Sequence, residues 1–117
     1  MALKVRKNRI PPPACPISDC MRFLGGAWTP NIIWYLSPGP RRFSELRHDI
    51  PVVSAKVLTQ RLREMEEHGL VLRHVMPTSP PSVEYELTEL GQELLPVIAA
   101  IMSVGKRLKR RREEIAA

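Results

Sequence analysis

The chain has 117 residues, 44% of them hydrophobic and 26% charged, which is enough for one hydrophobic core and not for two. No apolar run approaches the roughly 20 residues of a membrane span. Met1 to Ile10 carries Lys4, Arg6, Lys7 and Arg9 without the apolar stretch of a signal peptide, so a cytoplasmic protein with no membrane partner is expected. The net charge of +6 is concentrated at the ends: residues 1–15 hold +4, residues 106–117 hold +4, and the 8 basic and 10 acidic residues of 16–105 leave −2. Basicity alone therefore does not establish nucleic-acid binding for the folded part, and local pattern has to carry the argument.

In chain order, residues 1–13 end in Pro11-Pro12-Pro13 and read as a basic, flexible arm. Pro16 suits a first helical position, and Ile17, Cys20, Met21 and Leu24 recur at helical spacing before Gly25-Gly26 stops the helix. Thr29-Pro30 is a second start signal, with Thr29 expected as N-cap, and Asn31 to Leu36 is apolar nearly all round, as a central buried helix requires. Ser37-Pro38-Gly39-Pro40 ends it. A short helix over roughly Phe43 to Asp49, with Arg41 and Arg42 at its start, turns through Pro51-Val52-Val53 into a longer helix. Ser54 is the expected N-cap of that helix, which runs to His68 with Gly69 as its C′ residue. Two helices joined by such a turn make a helix-turn-helix.

Past Gly69 the period moves towards 2. Leu70 to Met76 and Val83 to Leu87 read as strands around the loop Pro77-Thr78-Ser79-Pro80-Pro81-Ser82, a wing. Thr88 caps a last helix over about 89–112, with Leu90, Leu94, Ile98, Ile101 and Leu108 in one stripe and Pro96 bending or breaking it. The fold class expected is mainly α with a small β-hairpin, a winged helix-turn-helix over residues 14–105. Residues 106–117 form a basic helix end, suited either to DNA flanks or simply to the helix dipole.

At 100° per residue, Leu58, Leu62 and Met65 face the core from the longer helix. Lys56, Gln60 and Arg63 lie opposite, with Thr59 on the flank and Ser54 at the start. Arg and Lys can pair with guanine, and Gln with adenine, in a major groove. Glu64, Glu66 and Glu67 confine close approach to the N-terminal half. Arg41, Arg42 and Arg47, then Arg73 and His74 at the wing base and Ser79 and Ser82 in the wing, are candidate phosphate contacts. A polar helix face is by itself usually only a solvated surface; its position between a short helix and two strands gives it meaning.

Several motifs in order make the chain resemble the HxlR-type regulators, relatives of the MarR group, over residues 14–105. They are Cys15-Pro16, Gly25-Gly26-Ala27-Trp28, Arg42-Phe43-Ser44-Glu45-Leu46, Ser54 to Glu64, Gly69-Leu70-Val71 and Pro80 to Gly91. The resemblance implies a homodimer built on the first and last helices, with two recognition helices reading a pseudo-palindromic double-stranded DNA operator. A sequence-specific transcriptional regulator is therefore expected, a repressor because a small regulator without an activation domain is more often one, and no enzyme because no nucleophile, base and orienting acid can be assembled from the motifs. Two positions depart from the pattern: Ala27 stands where the family has Lys, and Val52 where it often has Gly.

Some relatives sense oxidants or electrophiles with an N-terminal cysteine, and Cys15 matches it. It lies just ahead of a helix start, a place that favours a thiolate. The alternative is an inert thiol packed at an interface; Cys20, on the apolar stripe, reads as core. A small-molecule or oxidant effector is thus an expected partner. Trp28, Trp34 and Tyr35 read as core or as the lining of an effector pocket. His48, His68 and His74 and the two cysteines have no metal-ligand spacing, so no metal and no cofactor is expected. The competing readings are a low-specificity architectural DNA binder and a protein-interaction winged helix; the second lacks the exposed apolar patch it would need on the longer helix.

Overall fold

The computed structural model describes residues 15–116; the basic arm expected over 1–13 lies outside them. In chain order the elements are α1 (Pro16–Leu24), α2 (Thr29–Leu36), β1 (Arg41–Arg42), α3 (Phe43–Asp49), α4 (Ala55–Glu67), β2 (Val71–Met76), β3 (Ser82–Leu87), α5 (Glu89–Glu93) and α6 (Leu95–Ala116). Helices and a small antiparallel sheet in this order form a winged helix-turn-helix. The wing is a three-stranded sheet in the order β1-β3-β2, not a bare hairpin. Arg41 and Arg42 pair with Tyr85 and Glu84, so these two arginines sit on a strand and not on the short helix. Two residues between Pro40 and a helix start are too few to display strand periodicity.

The core gathers around α2, whose Ile32, Ile33 and Leu36 are buried, as its nearly all-apolar sequence requires. Leu46 of α3, Leu58, Leu62 and Met65 of α4, and Val71, Tyr85 and Leu87 of the sheet close around it, with Leu94 and Ile98 arriving from the C-terminal helices. Thr29 is buried as the first residue of α2, and the N-cap is Trp28, one residue earlier than expected. Trp28 adopts φ 71, a left-handed conformation costing roughly 1–2 kcal/mol for a side-chain-bearing residue. Its half-buried indole packs against the core, which holds the backbone there.

The last helix breaks at Leu94, where Pro96 enters as the second residue of α6 and cannot donate to a preceding turn. Gly91 of α5 lies so close to the Leu70 carbonyl that a Cβ could not be accommodated without movement. α6 continues four residues beyond the expected end, for a length of about 33 Å at 1.5 Å per residue. Of the expected stripe, Leu94 and Ile98 are buried, Leu90 is partly open, and Ile101 and Leu108 are 51% and 55% exposed. On α1, Ile17 and Met21 are 72% and 53% exposed and Cys20 is half-buried, so only Leu24 of that stripe belongs to the core.

Candidate nucleic-acid interface

The turn between α3 and α4 is tied by two backbone bonds, Ile50 N–H to Leu46 O at 3.0 Å and Val53 N–H to Ile50 O at 3.1 Å. Burial of Ile50 and Val53 pins it from below, while Val52 stands exposed at its crest. Ser54 then caps α4, its hydroxyl accepting from Val57 N–H at 3.2 Å. With Leu58, Leu62 and Met65 turned inward, Lys56, Gln60 and Arg63 are carried to the solvent face. These three line one open groove of about 610 Å³ with Phe43, and Glu64 and Glu67 bound its far end. Arg61 is engaged with Glu64 at 2.8 Å. Thr59 donates its only hydroxyl proton to the Ala55 carbonyl at 2.7 Å, leaving a lone pair and a methyl for anything outside.

The candidate phosphate contacts divide. Arg41 is bound by acids: its guanidinium donates to Asp49 at 2.7, 2.8 and 3.1 Å and to Glu45 at 3.3 Å. Hydrogen bonds to Asp49 hold its pKa above the ordinary arginine value; desolvation opposes them, and the charges of Asp49 and then Glu45 add to the rise. Arg42 faces solvent; its backbone N–H donates to Glu45 Oε1 at 2.9 Å. An arginine side chain accepts nothing, so this is one half of a capping box. Arg47 and Arg73 are exposed. His74 lies 2.8 Å from Glu86 Oε1, a carboxylate that opposes the approach of a phosphate. At the wing, Ser79 is exposed near the tip, and Ser82 is half-buried at the base, 3.3 Å from the Thr78 hydroxyl, which also donates to Pro80 O at 2.8 Å.

A second hollow, of about 380 Å³, brings Arg42, Thr59 and Ser82 together from β1, α4 and β3, and adds Ser44 and Phe43, which sequence reasoning did not select. Their signal was present in the stretch Arg42-Phe43-Ser44-Glu45-Leu46, but its partners are contributed by an element forty residues away. Cys15 is the half-buried N-cap of α1, and both cysteines are free thiols. Among the described residues no cluster of three His, Cys, Asp or Glu side chains is placed to hold a metal ion. No described helix is long and apolar enough to cross a membrane.

An exposed Lys/Gln/Arg face on a capped helix, set between a tight turn and a wing, is what a major-groove reader needs. The family profile described as HxlR-like helix-turn-helix matches residues 23–113. The chain belongs to that family. YdeP of Bacillus subtilis (strain 168), an HTH-type transcriptional regulator, is 37% identical over 103 residues, covering 88% of this chain and 80% of that protein. A MarR-family transcriptional regulator from Porphyromonas gingivalis W83 superposes with a TM-score of 0.78 at 36% identity, over 84% of this chain and 96% of that one. The redox regulator HypR in its oxidised form superposes with a TM-score of 0.75 at 35% identity, over 80% and 96%. As an HxlR-type protein the chain is a transcriptional regulator with a DNA-binding helix-turn-helix, and not an enzyme.

Proposed function

We propose that the chain acts as a homodimer that binds a pseudo-palindromic operator sequence-specifically and represses transcription, and that oxidants or electrophiles relieve repression through Cys15. The observation that carries the DNA part is the bare face of α4, where Lys56, Gln60 and Arg63 project from a helix fixed on its other side by three fully packed apolar residues. Side chains on a rigid element hold the geometry that base readout demands. Ser54 and Thr59 flank that face, and Arg47, Arg73 and Ser79 are exposed around it for phosphate contact.

Support for the dimer is the apolar surface left open on the first and last helices. Ile17 and Met21 on α1, and Val97, Ile101, Met102, Val104 and Leu108 on α6, are exposed apolar side chains of the kind a second copy can cover. Two such helices from each subunit cover one another. The redox part rests on the position of Cys15 at the first turn of α1, beside that surface, and on similarity to a regulator described as redox-responsive. A modified thiol there would shift α1 and with it the separation of the two recognition helices.

The test is binding of the purified protein to operator DNA selected from a random pool, with random duplex as competitor, before and after diamide. An operator regulator prefers its site by on the order of 10³ or more, whereas an architectural binder shows little preference. Gln60→Ala and Arg63→Ala should each cost roughly 1–3 kcal/mol on the operator and relax its sequence requirement. Unchanged binding by both variants would remove α4 as the reading element.

A further inference from the structure

We infer that the hollow between β1, α3, α4 and the wing base seats one deoxyribose-phosphate unit of the DNA backbone, with Arg42 and Ser44 as the phosphate ligands. This inference rests on the DNA-binding reading of α4. The hollow and the reading groove share Phe43 and Thr59, so they are adjacent on one surface. A helix inserted in a major groove about 12 Å wide has a strand backbone along each wall. What lies immediately beside the reading face, towards the wing, meets that wall and not base edges.

The chemistry of the hollow fits such a wall. Its floor is Phe43, Val83 and the buried Tyr85, an apolar surface suited to the carbon face of a sugar. Its rim carries the exposed Arg42 guanidinium and the exposed Ser44 hydroxyl, both able to donate to phosphate oxygens, Arg in a fork. Thr59 contributes a methyl, since its proton is already given to Ala55 O. At about 380 Å³ the hollow has room for one sugar with its phosphate. The contrast with the neighbouring residue is informative: Arg41 is folded onto Asp49 and Glu45, while Arg42 projects the other way from the same two-residue strand. Two acidic groups stand by the site: Glu84, directly across the β1–β3 ladder from Arg42, and Glu45, whose Oε1 accepts from the Arg42 N–H while its other oxygen is engaged by Arg41.

The experiment is a salt titration of DNA affinity on pool-selected operator and on random duplex, paired with phosphate-ethylation interference, for wild type, Arg42→Gln, Ser44→Ala and Glu84→Gln. Arg42→Gln should weaken both DNAs by the same factor and lower the slope of log K against log salt by about 0.9 per protomer. In interference, one phosphate per half-site that blocks wild-type binding when ethylated should become indifferent in Arg42→Gln and Ser44→Ala. Glu84→Gln should tighten both DNAs. An unchanged slope, a fall in the operator-to-random ratio, or no gain with Glu84→Gln would overturn the backbone seat. Absence of any DNA binding by wild type would instead overturn the function proposed above, and is seen without a variant.

Discussion

The hydroxyl of Thr88 donates to the carbonyl of Gly69 and accepts from the N–H of Gly91 at 3.1 Å, joining the end of α4 to the start of α5. Gly69 follows α4 with φ 74, a left-handed residue that turns the chain into the sheet. Thr88 N–H also donates to Leu70 O at 3.0 Å. One side chain thus anchors the C-terminal end of α4 to the element that leads into α6. Thr88→Val keeps the shape and loses both hydrogen bonds, and should destabilise the fold by about 1–2 kcal/mol. Thr88→Ser should recover most of that, as read by urea denaturation; equal midpoints for wild type and Thr88→Val would show that the junction is held by packing alone.

Arg41 makes the complementary tie at the other end of the helix-turn-helix, clamping β1 to the last turn of α3 through Asp49. Its pKa is raised, so on the alkaline side the guanidinium's contribution is complete at neutral pH and is lost as pH rises through a value far above neutrality. Arg41→Gln should therefore lower the denaturation midpoint at neutral pH while leaving the salt slope of DNA binding untouched. A fall in that slope would mean that the guanidinium leaves Asp49 to meet a phosphate in the complex.

Much of this architecture was legible because the strongest sequence signals are local. The Ser54 cap, the Leu58, Leu62 and Met65 stripe and the left-handed Gly69 each lie within one turn of what they control, and all are present in the structure. What escaped depends on partners distant in sequence. β1 is a strand only because Arg41 and Arg42 meet Tyr85 and Glu84, and Arg41 is an ion-pair residue only because α3 brings Asp49 back to it. Trp28 takes the N-cap position of α2 with a backbone that propensity disfavours, held by packing that no short window displays. The expected stripes of α1 and α6 have the right period, but periodicity does not tell a face buried in its own core from one left open at the surface.

That open surface gives a direct prediction. Ile101 is half-exposed in the second turn of α6, between the buried Ile98 and the exposed Leu108. Ile101→Glu places a charge where a second copy is proposed to pack, and it leaves the core of the subunit intact. The variant should sediment as a monomer with unchanged helix content and bind operator at least tenfold more weakly, because two half-sites are no longer engaged together. A monomeric wild type, or a dimeric Ile101→Glu variant, would place the interface elsewhere.

Cys15 offers the last prediction, and its geometry separates sensing from structure. The residue caps α1 through its backbone: Asp19 N–H donates to Cys15 O at 3.0 Å, and the sulfur makes no capping bond. Cys15→Ser therefore removes the reactive thiol without removing the bond that starts the helix. Operator affinity in reducing buffer should match wild type, and release of DNA by diamide or a quinone should disappear. Cys20, half-buried on the same helix, serves as the control: Cys20→Ser should still release. If Cys15→Ser releases DNA as wild type does and Cys20→Ser does not, the sensor is Cys20. If both variants release, either thiol is enough for the response, and Cys15 is not the sole sensor.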